Sequence, residues 1–382
     1  MSSETLTHLA HLKGSERRVA LATLVAAKGS TPKKEGAKMW VGEGGRVLGS
    51  VTIGGCVDAR VLAESERVLA GGRPELLTMS LGDEDAWDLG LTCGGTVQVL
   101  IEPLDLARDD DPLVVAYEAV RREVDAGRQA VLVTPLDGSA GRLVVRGDGS
   151  VAGTLGDREI DAAAVTQATE VLARGVSRVA PLGGGDEAPD AFYEVYGPPA
   201  TVVVFGAGHV AMHVVAIARE LGWRTVVVDG RERFATRDRF PGADELRVGM
   251  VSEIAEQMTF GANSFVVLVA HDYKYDVPVL RTVLRSEAAY VGLLGSRKRG
   301  QAILDFLAED GVSRESLARV HTPIGLDIGA QTAAEIALSI VAEACAAKAR
   351  RPGAPLRDRD AGAGASAGAA GAGAPMLVGG RS

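Results

Sequence analysis

One stretch in the second half of the chain combines two β-branched runs, a glycine-rich turn and an apolar helical pattern. The first run is Val202–Val204, and the turn Gly206-Ala-Gly208-His-Val-Ala211 follows it at once. The helical pattern then extends to Gly222, and the second β-branched run ends at Asp229. This order predicts strand, turn, helix and strand, the context in which a glycine-rich loop binds a phosphate-bearing ligand.

Each residue of this turn has a physical reason to be there. Gly206 permits the tight turn, Gly208 leaves the backbone open to a phosphate, and Ala211 lets the helix pack close to the strand. The helix directs unpaired amides and its positive dipole end at an anion. Asp229 is placed to accept hydrogen bonds from a ribose or a similar diol, and His209 to touch a phosphate or a ring. The alternative is a doubly wound domain whose site is vacant, and the same turn serves many phosphate-bearing ligands.

Strand and helix patterns continue to alternate after Asp229, which predicts a Rossmann-like parallel sheet over residues 196–350. Thr332 and Glu335 form a Thr-x-x-Glu capping box that opens the last helix, which extends to about Ala349. Residues 351–382 are rich in glycine and alanine, and we expect them to be disordered. Strands are predicted at 245–248, 264–270 and 290–294, and helices at 252–258, 276–286 and 297–309.

The first half, residues 1–195, predicts an α+β domain made of short strands and hairpins. A helix with periodic apolar positions over Val57–Ala70 ends at two glycines. A linker rich in Gly, Asp and Pro precedes a short strand before the Rossmann-like domain. Strands are predicted at Val19–Val25, Met39–Val41, Glu75–Leu81, Gly95–Ile101 and Tyr193–Tyr196.

The segment from 112 to 176 resembles a second, abbreviated copy of the first hairpin and helix. When residue 39 is set against residue 143, the hairpins align without gaps, and the helices end in "RVLAGG" and "EVLARG". The second copy has neither the Gly-Ser-Thr-Pro turn nor a cysteine. A duplication would therefore repeat the scaffold for packing and keep the chemistry in one copy.

Composition narrows the class of protein. The chain has 382 residues, is 46% hydrophobic and carries a formal net charge of -9 without a basic block, which disfavours nucleic acid. No apolar run reaches the about 20 residues of a membrane span. The N-terminus has no features of a signal peptide. Three cysteines make neither a disulfide scaffold nor a Cys-x-x-Cys zinc pair, so we expect a reduced, cytoplasmic protein.

Two cysteines are flanked by glycines. Cys56 follows Gly54-Gly55 and is expected at a helix N-terminus, where the dipole stabilises a thiolate. Cys93 precedes two further glycines in another tight loop. Both are candidate ligating or reactive residues, with a structural role as the alternative. Cys345 lies in an apolar helical pattern and is read as a core residue.

Polar turns supply the remaining candidates. Ser30 lies in Gly29-Ser-Thr-Pro-Lys-Lys34, a turn suited to a phosphate or a carboxylate, or simply a solvated basic turn. Ser296 and Arg297 open a predicted helix after a buried strand. A basic residue at a helix N-terminus is repelled by the helix dipole, so Arg297 is a candidate for binding an anion there, with an ordinary solvated helix start as the alternative. His271-Asp272 ends a strand at the ligand edge of the sheet but is more often an ordinary loop pair.

Together these motifs resemble the XdhC/CoxI family over roughly residues 15 to 350. The C-terminal motifs are Gly-Ala-Gly-His (206–209), Asp229-Gly-Arg231, Gly-Leu-Leu-Gly-Ser-Arg (292–297) and Gly-Leu-Asp-Ile-Gly-Ala (325–330). The N-terminal motifs are Gly-Ser-Thr-Pro (29–32), Gly-Ala-Lys-Met (36–39), Gly-Ser-Val (49–51), Gly-Gly-Cys-Val (54–57), Cys-Gly-Gly (93–95) and Glu102-Pro103.

The resemblance implies a chaperone of the molybdenum cofactor, which is a phosphate-bearing pterin dithiolene. Such a protein binds and protects the cofactor, supports its sulfuration by a cysteine desulfurase, and delivers it to an apo molybdenum hydroxylase such as xanthine dehydrogenase. The sequence leaves open whether the protein forms a homodimer. Molybdenum favours soft sulfur ligands, so Cys56 is the expected metal contact, and the phosphate is expected at Gly206–His209. The cofactor-binding residues expected in full are Ser30, Gly54, Gly55, Cys56, Cys93, Gly206, Gly208, His209, Asp229, Ser296 and Arg297.

Two other functions compete with this interpretation. An NAD(P)-dependent oxidoreductase would use the glycine turn and Asp229 directly, although no Tyr-x-x-x-Lys pair accompanies the fold and the Gly-Cys loops have no use in hydride transfer. A nucleotide-binding regulatory or scaffold module would leave both cysteines inert. Binding of NADH or of isolated cofactor discriminates among the three.

Overall fold

A computed structural model describes residues 2–29, 35–51, 55–80, 95–183, 188–270 and 272–358. The chain divides into two compact units, one ending at Pro199 and the other starting at Ala200. The α/β class is as predicted, with antiparallel sheets in the first unit and a parallel sheet in the second. Among the described residues, no helix combines the length and apolar character needed to cross a bilayer.

The first unit begins with a helix that the sequence analysis did not predict, α1 (Ser2–Leu12), whose residues Leu6, Leu9 and Leu12 are buried. An antiparallel sheet in the order β3-β2-β1-β5-β4 follows, and along the chain one helix lies between β3 and β4. Its elements are β1 (Arg18–Gly29), β2 (Lys38–Gly42), β3 (Val47–Gly49), α2 (Cys56–Gly71), β4 (Glu75–Ser80) and β5 (Gly95–Asp105).

A connecting helix leads to a second antiparallel sheet in the order β8-β7-β6-β10-β9. The element order is the same as in the first sheet: three strands, a helix and two strands. The elements are α3 (Pro112–Asp125), β6 (Ala130–Pro135), β7 (Arg142–Arg146), β8 (Val151–Thr154), α4 (Arg158–Arg174), β9 (Arg178–Pro181) and β10 (Asp190–Tyr196).

The two sheets also correspond in register. Met39 pairs with Gly49 in the first hairpin, and Leu143 pairs with Gly153 in the second. A Cβ on either glycine would collide with a backbone carbonyl oxygen across the hairpin. The second set of elements extends to Tyr196, because β9 and β10 complete its sheet. It is therefore longer than the segment 112–176 that was predicted as the second copy.

Two buried ion pairs join the sheets reciprocally. Lys38 on β2 pairs with Glu194 on β10 at 2.8 Å, and Arg142 on β7 pairs with Glu102 on β5. Lys38 and Arg142 open corresponding strands, and Glu102 and Glu194 face corresponding leucines of β1 and β6. Burial lowers the pKa of Lys38, but the charge and hydrogen bond of Glu194 together with those of Tyr117 outweigh it, so this pKa lies above its usual value.

The second unit is a parallel sheet in the order β13-β12-β11-β14-β15-β16, with helices on both faces. This is the dinucleotide-binding strand order, in which ligands lie at the carboxyl ends of the strands. Its elements are β11 (Thr201–Phe205), α5 (His209–Glu220), β12 (Arg224–Asp229), β13 (Glu245–Val248), α6 (Val251–Gln257), β14 (Ser264–Leu268), α7 (Tyr273–Val283), β15 (Tyr290–Leu293), α8 (Arg297–Glu309), α9 (Arg314–Leu317), β16 (Val320–His321) and α10 (Ala333–Lys348).

In this unit β13 and α8 have the predicted bounds, whereas the bounds of α6, α7, β14 and β15 differ from the predicted ones by one to three residues. Helix α8 has the predicted bounds, and α10 opens with the predicted capping box, in which Thr332 and Glu335 bond to each other's backbone amides. Helix α7 starts at Tyr273, before the predicted 276, because Asp272 caps it by accepting a hydrogen bond from the Lys274 amide.

Candidate functional site

Gly206 is required by the fold of the turn itself. Its φ of +108° is accessible to few residues other than glycine, and a Cβ there would lie 2.7 Å from the backbone nitrogen of Ala270. Its own amide donates to the carbonyl oxygen of Val228 at 2.8 Å. The missing side chain of Gly206 therefore lets β11 approach the loop after β14, and its amide bonds β11 to β12 at the carboxyl edge of the sheet.

Gly208 has a different environment. Its φ is −76° and its ψ −173°, an extended conformation open to most residues. A Cβ at Gly208 would meet nothing within 4 Å among the described residues. Neither backbone strain nor packing within the protein calls for glycine here. The open space lies at the N-cap of α5, where a side chain would obstruct a ligand that approaches the first-turn amides.

The N-termini of the helices differ in how their first-turn amides are satisfied. Six described helices have a side-chain cap that accepts from these amides, whereas α2, α5 and α6 have none. The N-caps of α2 and α5 are Gly55 and Gly208, the residues beside the two predicted binding loops. The six capping residues are Asp111, Asp157, Asp272, Ser296, Ser313 and Thr332.

Asp229 stands where predicted, at the end of β12, but its carboxylate is already engaged. Oδ2 accepts from the Ala207 amide at 2.6 Å and from Arg231 Nη2 at 2.7 Å, and Oδ1 accepts from the Arg231 amide and Nε. Burial raises the pKa of Asp229, but these hydrogen bonds outweigh it, so the pKa lies below its usual value. A ribose diol would have to compete with Arg231, which changes the predicted role of Asp229.

A crevice of 210 Å³ lies beside this pair at the carboxyl edge of the sheet. Its walls include Gly206, Asp229, Arg231 and Tyr275. The guanidinium of Arg231 also stacks on Phe234, 4.0 Å from the ring centroid, so its position is fixed by two contacts. The crevice thus combines an anchored cation, a phenol and the glycine turn.

His209 is exposed at the first position of α5, next to Gly208. Of the two histidines of this helix, only His209 was predicted as a site residue. His213 lies one turn further along α5, and the two ring centroids are 5.2 Å apart. Residues four apart share a helix face, so this spacing was a readable signal. Two imidazoles therefore stand beside the open end of the glycine turn.

Ser296 and Arg297 follow β15, two strands from β11 in the sheet. Two strand spacings amount to about 10 Å, which places them along the edge and away from the glycine turn itself. Ser296 caps α8, its Oγ accepting from the Arg299 amide at 3.3 Å. Arg297 is exposed in the first turn of α8. The serine has a structural use, and the arginine remains open to a ligand.

The predicted residues of the first unit are only partly within the described chain. Gly55 has a φ of +88° and is the N-cap of α2, whose first residue is Cys56, as predicted. Ser50 on the strand side donates to Asp58 in the first turn of the same helix. Ser30, Gly54, Cys93 and His271 lie outside the described residues.

The described residues contain no group of three or more His, Cys, Asp and Glu side chains that could hold a metal ion. Cys345 is half-buried among the apolar residues packed around α10, and burial raises the pKa of its thiol. It has the environment of a core residue, as the sequence analysis expected.

Two family models match the chain. The XdhC Rossmann domain matches residues 202–344, and the XdhC and CoxI family matches residues 12–80. The chain belongs to the XdhC/CoxI family. The resemblance drawn from the sequence motifs is thereby confirmed.

Relatives in this family match most of the chain. A probable xanthine dehydrogenase subunit from Bacillus subtilis (strain 168) is 27% identical over 88% of this chain and 95% of its own length. The molybdenum cofactor insertion chaperone PaoD of Escherichia coli (strain K12) is 24% identical over 86% of this chain and 83% of its own. A crystal structure described as a xanthine dehydrogenase from Bacillus halodurans is 26% identical, covers 93% of this chain and 98% of its own, and has a TM-score of 0.75.

Within this XdhC/CoxI protein, sequence reasoning missed the roles of Arg231 and Tyr275 in the crevice and the place of His213 beside His209. His213 could have been found from its spacing to His209. Arg231 was quoted in a motif, but its bidentate contact with Asp229 depends on the turn after β12. Tyr275 carries no local signal, because only the packing of α7 against the sheet brings it to Gly230.

Proposed function

We propose that this XdhC/CoxI protein binds molybdenum cofactor, protects it, supports its sulfuration by a cysteine desulfurase, and delivers it to an apo molybdenum hydroxylase. Two named relatives support this assignment: one is called a molybdenum cofactor insertion chaperone and the other a probable xanthine dehydrogenase subunit. Both align over more than four-fifths of this chain.

The observation that carries the proposal is the glycine N-cap of α5. Gly208 leaves open space, and no side chain in the described structure caps the first turn. A phosphate fits there because amides and the helix dipole stabilise an anion without a positively charged side chain. Gly206, Gly208 and His209 would hold the phosphate end, and Ser296 and Arg297 lie further along the same edge for the rest of the molecule.

Cys56 is our proposed molybdenum contact. It opens α2 behind a glycine N-cap, where first-turn amides and the dipole favour a thiolate over a thiol. When bound, the cofactor would present a metal that prefers such soft ligands. Gly54, Gly55, Cys93 and Ser30 belong to the same proposal, as the loops that shape access to the metal.

The arrangement around Asp229 argues against an NAD-dependent oxidoreductase. An NAD site uses this acidic residue to accept from the ribose hydroxyls. Here both carboxylate oxygens already accept hydrogen bonds from Arg231 and Ala207. The chain thus has the strand order of dinucleotide-binding domains, but the carboxylate of Asp229 that would bind the ribose already accepts other hydrogen bonds.

The test is metal and pterin analysis of protein purified from a host that makes the cofactor. We expect molybdenum and pterin in near-equal amounts, and no tight binding of NADH in a parallel titration. Tight NADH binding with turnover of a small alcohol or aldehyde would establish the oxidoreductase instead. Binding of neither ligand would leave a scaffold role.

A further inference from the structure

A second, larger cavity of the second unit shares no lining residue with the crevice beside the glycine turn. It is a groove of 720 Å³ between helices α7 and α8, on the outer side of the sheet. Both helices pack their inner faces into the same core, which contains Val279 and Leu307. The groove is therefore formed by the outward sides of two helices that are already held firmly in place.

The walls of this groove are mainly apolar. Val277 and Pro278 come from α7, and Ile303 and Phe306 from α8. Two aromatic side chains stand at its border and are largely exposed, Tyr273 at 63% and Phe306 at 50%. Tyrosine and phenylalanine are enriched at protein interfaces relative to the rest of the protein surface.

The charge of the groove differs from that of the whole chain. Three cations line it and no carboxylate does among the described residues, whereas the chain carries -9. Arg281 is paired with Asp310 at 2.6 Å, and Arg299 with Asp276 at 2.7 Å. Lys274 has no carboxylate within ion-pair distance in the part of the chain that the structure describes. One uncompensated positive charge thus borders an apolar surface.

This combination selects one kind of occupant. A polyanion would need several unpaired cations, and two of the three are neutralised. An amphipathic helix with large apolar side chains on one face and a neighbouring carboxylate would fill the groove and pair with Lys274. We propose that the α7–α8 groove docks such an acidic amphipathic helix of the apo molybdenum hydroxylase, a proposal that rests on the chaperone function proposed above.

The experiment compares matched variants in the full chain loaded with cofactor. Phe306→Asp places a charge in the groove, and Leu338→Asp on α10 is its control, since Leu338 is 51% exposed. Lys274→Glu reverses the border charge, and the exposed Lys348 of α10 provides the control Lys348→Glu. The probe is the apoenzyme of the molybdenum hydroxylase from the same organism, produced without cofactor, with affinity measured by biolayer interferometry.

We expect Phe306→Asp to bind the apoenzyme at least about 30-fold more weakly, as hot-spot residues do. Lys274→Glu should slow association, with a deficit that shrinks at high salt. Both controls should bind like wild type, and all variants should retain molybdenum and pterin. Unchanged affinity of Phe306→Asp and Lys274→Glu would overturn the groove assignment alone.

Two further outcomes are decisive. Absence of molybdenum and pterin from the wild-type protein would refute the proposed function before docking is tested. A wild-type dimer that Phe306→Asp dissociates, with apoenzyme affinity intact, would overturn the proposal by showing that a second copy of the chain occupies the groove. Loaded wild type that does not bind the apoenzyme would overturn it as well.

Discussion

Gly208→Val tests whether the glycine turn is the phosphate site. The extended φ and ψ of Gly208 accommodate valine, and its Cβ would enter open space. The fold should therefore lose little stability, at most about 1 kcal/mol for a poorer N-cap residue. Any large effect on cofactor binding must then come from the ligand.

The expected loss of affinity follows from the bonds that valine would prevent. A phosphate at the N-terminus of α5 accepts charge-assisted hydrogen bonds from first-turn amides, each worth about 1.5–3 kcal/mol. Loss of one such bond weakens binding about 10- to 150-fold. We expect protein purified from a cofactor-producing host to lose most of its pterin and molybdenum.

Gly206→Ala provides the matched comparison. Alanine at a φ of +108° is strained, and its Cβ would lie 2.7 Å from the backbone of Ala270. We expect this variant to lower the melting temperature, with strain of about 1–3 kcal/mol, whereas Gly208→Val leaves it nearly unchanged. Full cofactor content in a folded Gly208→Val protein would refute the assignment of the phosphate to this turn.

Three further perturbations test other parts of the molecule. Cys56→Ser should retain the melting temperature but lower copurified molybdenum, whereas the core control Cys345→Ser should retain the metal; equal metal contents would remove Cys56 from the site. Lys38→Met should lower the free energy of unfolding in urea by about 3–5 kcal/mol, because it leaves the buried carboxylate of Glu194 without a partner. The double variant Lys38→Met/Glu194→Leu should recover most of that loss, and a double variant as unstable as the single one would contradict this explanation. Burial raises the pKa of Asp276 to about 6 from 3.8 in the unfolded chain. Because the folded state then binds the proton more tightly, the free energy of unfolding should fall by up to about 3 kcal/mol as pH rises from 4 to 7. Asp276→Asn should flatten this pH dependence.

The elements that sequence reasoning placed correctly are those with local signals. The bounds of α8 and the capping box of α10 depend on residues within one turn of each helix end. Helix α1 has such a signal as well, because Leu6, Leu9 and Leu12 recur at helical spacing, yet no helix was predicted there. Its three leucines pack into a shared core with α3 and both sheets.

Contacts between distant residues could not be predicted in the same way. Lys38 and Glu194 meet only because the two sheets of the first unit pack on each other, and no spacing along the chain encodes that. The pairing of Arg231 with Asp229 is close in sequence, yet the same residues would leave Asp229 free if the turn after β12 pointed the guanidinium outward. The fold could thus be predicted from sequence patterns, whereas the hydrogen bonding of the Asp229 carboxylate could be seen only in the structure.

The two sheets of the first unit make a comparison that the chain itself supplies. Both have a helix after the third strand, and both helices start near a hydroxyl–carboxylate contact, Ser50 to Asp58 in one and Thr154 to Asp161 in the other. Asp157 caps α4 and accepts from two first-turn amides, whereas α2 has Gly55 in the N-cap position. A side-chain cap stabilises a helix that serves only as scaffold, whereas a helix that binds an anion needs its first-turn amides free to donate to the ligand. If the two sheets arose by duplication, the uncapped helix α2 is where we propose the cofactor contact, and it is also the helix that begins with a cysteine.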